Sequence, residues 1–168
     1  MKTIISRAGF TAIELAVVMG VILLMVGLTL PAISRSMRKG RLAESVNTFQ
    51  SMHQQAMSAA QQYQMTWGKP GTVTLSIIGG DKLRLRISGE GYDKDSLYSL
   101  PTTVEAGNDI PPILVPPITP ITTLTYLTGT GLPNNPAPRP YFFFQTTDGK
   151  DKTRIFIADS GLTKVETL

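Results

Sequence analysis

Three groups of side chains in this chain are of a kind that does chemistry, and each is sparse. The first is one carboxylate, Glu14, inside a run from Phe10 to Ile33 that is otherwise apolar apart from small threonine and glycine interruptions. A charge in hydrocarbon costs about 2.5–3.5 kcal/mol on insertion scales, so such a carboxylate needs either a partner or a wetted position at an interface. The second is histidine. His53 is the only one and there is no cysteine, which removes Cys–His nucleophile pairs and the usual zinc ligand sets. No G-x-S-x-G elbow and no G-x-x-x-x-G-K-[ST] phosphate loop occurs, so His53 reads as a structural residue and the chain carries no ATPase of its own. The third group is charged: Lys82, Arg84 and Arg86 at alternate positions, then Lys150, Lys152, Arg154 and Lys164 interleaved with Asp148, Asp151 and Asp159. Alternate cations on a strand guard a solvated edge or meet an acidic neighbour or a nucleic-acid phosphate. The aspartates lack the alternating oxygen spacing of a calcium loop and read as turn residues. The expectation is therefore no enzyme, no cofactor and no metal, with Arg84, Arg86, Lys150, Lys152 and Arg154 as a minor candidate for anion or DNA contact.

These residues are carried by a simple succession of elements. At ~1.5 Å per residue, Phe10 to Ile33 makes a helix of ~36 Å, enough for a ~30 Å hydrocarbon core. Pro31 removes one helix hydrogen bond, so a kink or loosened stretch is expected near Gly27 to Pro31. Beyond it, Leu42, Val46, Phe49, His53, Met57, Ala60 and Tyr63 recur at spacings of three and four, one stripe of an amphipathic helix. Gly40 is a weak point where a bend is expected, and Trp67-Gly68-Lys69-Pro70-Gly71 ends the helix.

From Thr72 the period changes to two. Val73, Leu75 and Ile77, then Leu83, Leu85 and Ile87 across Gly79-Gly80-Asp81, describe a β-hairpin with one apolar face. Residues 89–140 hold ten prolines from Pro101 to Pro140 and read as a long irregular excursion with one strand near Thr122 to Leu127. The tail is regular again, with strands at Tyr141–Thr146, Thr153–Ala158 and Leu162–Glu166 separated by turns. The fold class is α+β: a long N-terminal helix packed on a small antiparallel β-sheet domain. Its 168 residues leave room for one modest domain beyond the span, and with no cysteine that domain rests on packing alone. A net charge of +4 permits acidic partners without requiring them.

The string Gly9-Phe10-Thr11-Ala12-Ile13-Glu14-Leu15, after a short leader containing Lys2 and Arg7, resembles the N-terminal signal of type IV pilins and pseudopilins. The tail more loosely resembles the C-terminal part of the minor pseudopilin H family of type II secretion and its minor pilin relatives. The resemblance implies that a prepilin peptidase removes residues 1–9, cutting between Gly9 and Phe10 and N-methylating Phe10. It implies a helix over 10–66 whose first part, 10–33, is the transmembrane and assembly segment, followed by a β-rich domain over 67–168 with a proline-rich loop over 101–140. Glu14 would pair with the Phe10 amine of a neighbouring subunit in a filament, and Pro31 falls where many members carry a proline in this helix. Partners would be other pilin or pseudopilin subunits, the peptidase, and a membrane platform driven by a cytoplasmic ATPase. Location would be the inner membrane, single-pass, with the domain outside the cytoplasm. A cleaved secretory signal is disfavoured, because its apolar core is shorter and ends at small residues. The positive-inside rule points the other way, since Arg35, Arg38, Lys39 and Arg41 follow the span; the leader motif is given precedence. A membrane-tethered binding module and a minor pilin for DNA uptake remain the alternatives.

Overall fold

The computed structural model describes residues 11–67, 71–89, 92–107, 119–134 and 140–168. One helix, α1 (Ala12–Trp67), precedes ten strands: β1 (Gly71–Ile78), β2 (Lys82–Gly89), β3 (Tyr92–Ser99), β4 (Val104–Gly107), β5 (Thr119–Pro120), β6 (Thr123–Tyr126), β7 (Pro133–Asn134), β8 (Pro140–Thr146), β9 (Lys152–Ile157) and β10 (Thr163–Thr167). The chain divides into two compact units, Met1–Met37 and Arg38–Leu168.

In the first unit, residues 11–37 are helical from Ala12 onward and all are exposed. The helix is long and apolar enough to cross a membrane, with a mean hydropathy of 2.5 over its most apolar window. Pro31 lies inside it without ending it, and Gly40 does not interrupt it either. The expected loosened stretch is thus no break in the helix. Proline removes one N–H bond and crowds the preceding turn without ending the helix, and close by the Thr29 hydroxyl donates back to the carbonyls of Met25 (3.0 Å) and Val26 (3.2 Å).

In the second unit the remainder of α1 and two sheets share one core. The first sheet has the order β3-β2-β1-β6-β7; the second runs β10-β9-β8-β4, with β5 parallel to β8. Leu42, Val46, Phe49, Met52, Ala56 and Ala60 of the helix meet Val73, Leu75, Leu83, Leu85 and Leu124 of the first sheet and Phe142, Phe144, Ile155 and Ile157 of the second. Phe49 is the hinge of this packing, with ring centroids 4.5 Å from Phe142 and 5.7 Å from Phe144. The buried stripe is broader than the spacing of Leu42, Val46, Phe49 and His53 suggests. Ser45, Met52 and Ala56 are buried too, because two sheets approach the helix from different sides. Ser45 lies among the core residues at no polar cost: its hydroxyl donates to the Arg41 carbonyl (2.9 Å).

The β1–β2 hairpin forms where period-two alternation places it, with Ile78 opposite Lys82 around the Gly79-Gly80-Asp81 turn, and the three tail strands form between the expected turns. The excursion over residues 89–140 is less irregular than expected. Its described parts contain β3, β4, β5, β6 and β7. β3 reads Tyr-Asp-Lys-Asp-Ser-Leu-Tyr-Ser, too polar to announce a strand, yet it pairs with β2 along its whole length. The proline-rich parts at residues 108–118 and 135–139 lie outside the described residues.

Candidate functional site

The first candidate is the start of α1. Thr11 and Glu14 close on each other: the Thr11 N–H and hydroxyl both donate to Glu14 Oε2 at 2.9 Å, and the Glu14 N–H donates to the Thr11 hydroxyl at 3.3 Å. This is a capping box, in which residues three apart satisfy each other's unpaired helix-start groups. The pattern Thr11-Ala12-Ile13-Glu14 carries the signature in plain view, and the reading of Glu14 as a lone carboxylate passed over it. Around and beyond it the surface is apolar on every side, with Ile13 75%, Leu23 71% and Leu28 71% exposed. A helix apolar all round needs lipid or other helices about it. Gly9 and Phe10, expected to flank the cleavage, lie outside the described residues; Pro31 lies within this same exposed segment.

His53 is the second candidate, and its surroundings are complete. It is 1% exposed, with Nδ1 2.7 Å from the Tyr126 hydroxyl and Nε2 2.9 Å from the Gly161 carbonyl. A carbonyl only accepts, so Nε2 carries the proton and Nδ1 accepts from Tyr126. Burial pushes the His53 pKa below its ordinary value and the Tyr126 pKa above its own, the Gly161 carbonyl opposing the first shift. The imidazole is therefore neutral and ties the helix to β6 and to the turn before β10. Gly161 has φ +81°, a conformation that glycine adopts without strain, and a Cβ there would displace the end of the Met57 side chain.

The candidate anion-binding residues are not brought together. Arg84 chelates Asp95, with Nε 2.9 Å from both carboxylate oxygens and Nη2 2.5 Å from Oδ2, and Arg86 reaches Asp93 at 3.3 Å. Hydrogen bonding to Asp95 raises the Arg84 pKa, and the same bonds hold Asp95 below the usual carboxylate range. Arg84 and Arg86 of β2 thus face the aspartates of β3 across the ladder, exposed pairs that add little to the backbone pairing of the two strands. On the second sheet Arg154 is 6% exposed, with its guanidinium 5.4 Å from the Tyr141 ring centre. Lys152 lies opposite Gln145 in the β8–β9 ladder, and Lys150 Nζ is 4.0 Å from Asp148.

The tail aspartates likewise face cations. Asp148 meets Arg38 at 2.9 Å and Asp151 meets Lys39 at 3.8 Å, clasping α1 to the β8–β9 turn. The Thr146 hydroxyl, 2.6 Å away, is the main reason Asp148 sits below its ordinary pKa. No cluster of three or more histidine, cysteine or acidic side chains suited to a metal occurs among the described residues. No protein-family model, no curated protein and no solved structure matches this chain.

Proposed function

We propose that this chain is a structural subunit of a type IV filament system, a minor pseudopilin of type II secretion or a minor type IV pilin. The observation that carries the reading is the run Gly9-Phe10-Thr11-Ala12-Ile13-Glu14-Leu15 at the head of a helix that is apolar and exposed on all sides. After removal of residues 1–9, the Phe10 amine would lie one turn from Glu14. In an apolar bundle each of those charges is costly alone, so neighbouring subunits adopt the axial offset that pairs them. The pair sets register; the apolar faces supply the cohesion. Before assembly the helix holds the subunit in the inner membrane with the β domain outside the cytoplasm. Other pilin-like subunits, a prepilin peptidase and an ATPase-driven membrane platform are its partners.

A second reading, a membrane-tethered binding module that does not polymerise, is favoured by the capping box. The Thr11–Glu14 bonds give the carboxylate a role within its own helix and need no neighbour. Two experiments separate the readings. Mass spectrometry of protein from its host should find an N-methylated Phe10 at the mature terminus; an intact leader supports the tether. Glu14→Gln retains much of the capping geometry but removes the charge, so it should block filament assembly while leaving membrane insertion intact. Assembly at normal levels with Gln at this position would sink the charge-pairing role.

A further inference from the structure

Where the exposed apolar stretch of α1 gives way to the second unit, the chain reads Arg38-Lys39-Gly40-Arg41. At ~1.5 Å rise per residue, Arg38 stands about 7 Å along the helix beyond Ile33. The polar layer on each face of a hydrocarbon core is about 5–7 Å deep. These cations therefore fall at headgroup level whenever the apolar stretch spans a bilayer.

The fold brings a second segment to the same place. The β8–β9 turn is clasped to this part of α1 through Arg38–Asp148 (2.9 Å) and Lys39–Asp151 (3.8 Å). Its shape is fixed from within: the Thr146 hydroxyl donates to Asp148 Oδ1 (2.6 Å), and the Gly149 N–H donates to the Thr146 carbonyl (2.7 Å). The Thr147 N–H donates to the Thr103 carbonyl (3.0 Å), which anchors the turn from the side of β4. Lys150, on this turn, has a side chain 73% exposed, with Nζ 4.0 Å from Asp148. Arg41, one turn after Arg38, forms no ion pair among the described residues, Glu44 included. The patch thus holds four cations against two carboxylates. An acidic protein would have to be recruited to it, whereas a lipid surface is brought to Arg38 by the anchor itself.

We propose that the Arg38–Arg41 segment and the β8–β9 turn form one docking surface for anionic phospholipid headgroups, which seats the β domain on the membrane that α1 crosses. Asp148 and Asp151 hold the turn in place, and the cations in excess of them attract the lipid phosphates. The contact rests on α1 lying in a bilayer, which both readings above share. It needs only an anionic leaflet, whichever side of the membrane the domain occupies.

The chain has no cysteine, so Thr147→Cys, exposed on the turn, accepts a single fluorophore. Thr130→Cys, beside Gln61 much further along α1, is the control. The full-length proteins are reconstituted in vesicles of phosphatidylcholine, alone or mixed with phosphatidylglycerol, that carry a fixed fraction of lipid with a spin-label quencher on its headgroup. Quenching at position 147 should rise with phosphatidylglycerol and fall back at high salt, where charges are screened, while position 130 stays unquenched in both lipids. In the Thr147→Cys background, Arg41→Gln and Lys150→Gln should each lower the docked-to-undocked ratio about fivefold, the effect of one cation near an anionic surface. Asp151→Asn, which frees Lys39, should raise it. Near-ultraviolet circular dichroism in detergent checks that each variant is folded. Quenching at position 147 that ignores lipid charge, or that ignores these substitutions, would overturn the proposal. Quenching that instead follows protein density in pure phosphatidylcholine would assign the patch to another copy of the chain and overturn it equally. Vesicle flotation at high salt reports insertion of α1 separately: protein that floats without charge-dependent quenching refutes the docking alone, and protein that does not float refutes the anchoring beneath it.

Discussion

Residues 11–37 and 38–67 belong to one helix, yet they solve opposite problems. The first stretch is apolar around its whole circumference and wholly exposed, while the second buries a stripe and turns glutamines and serines outward. The first stretch carries the poorer helix formers, with Gly20, Gly27, Pro31 and many β-branched residues against the alanines and glutamines of the second, yet both are helical. What differs is the supply of partners: the second stretch has two sheets of its own chain to pack on, and the first has none within its unit. Burial in this chain thus lies in the core of the second unit, while the first stretch, long and apolar enough to cross a membrane, is exposed, and each can be altered without the other.

The largest expected effect is in the internal core. Phe49→Ala removes the ring that touches Phe142 and Phe144 and should cost about 3–5 kcal/mol in denaturant unfolding of the β domain. Leu23→Ala, in the exposed stretch, should leave that transition unmoved. An equal loss from both would dissolve the comparison. The reverse test is Leu23→Arg, which should cost about 2.5–3.5 kcal/mol of membrane insertion and leave unfolding of the domain unchanged, as judged by membrane fractionation beside a urea titration.

His53→Leu should follow, at about 1–3 kcal/mol, because Tyr126 and the Gly161 carbonyl lose a partner inside the core. This substitution also has a signature in pH. The folded-state pKa of His53 lies below its ordinary 6.5, so the unfolded chain takes up the proton first. The stability this histidine supports is complete above about pH 6.5 and declines as pH falls below it. The urea midpoint of the parent should drop between pH 7 and pH 5, and that slope should flatten in His53→Leu. Loss of the ion pairs of Asp95 and Asp148, whose pKa values are lowered from 3.8, belongs to a more acidic window. Gly161→Ala should cost about 1 kcal/mol or more from the positive φ. The smallest change is expected from Arg84→Ala: its ion pair is exposed, so thermal melting should barely shift, and retention on DNA at rising salt should match the parent. A clear loss of DNA retention would support an anion-binding role for β2.

The elements visible from residue order were those whose signal is local. Alternation along Val73, Leu75, Leu83 and Leu85, the glycine turn between them and the turn residues that separate the tail strands are each signals within a few residues of chain. The Thr11–Glu14 box is equally local, its signature a threonine three residues before a glutamate at the head of an apolar run. β3 was not legible, because its own residues are polar. It is a strand through its backbone pairing with β2 along its whole length, a partner its own residues do not reveal. His53 was identified as structural, but its partners lie 73 and 108 positions away, and nothing in local spacing selects Tyr126 or Gly161 among the alternatives.

By itself, then, the order of residues determined the apolar rod, its one carboxylate, the hairpin and the tail strands, since periodicity and turn chemistry act over short spans of chain. Tertiary structure alone decided that the helix packs against two sheets, that the β2 cations are matched by β3, that His53 is held as a neutral donor to Gly161, and that the β8–β9 turn is clasped to Arg38 and Lys39. Those outcomes depend on which distant surfaces meet. The free energy of such contacts comes from excluding water and matching hydrogen bonds across segments, and no short stretch of sequence contains both sides.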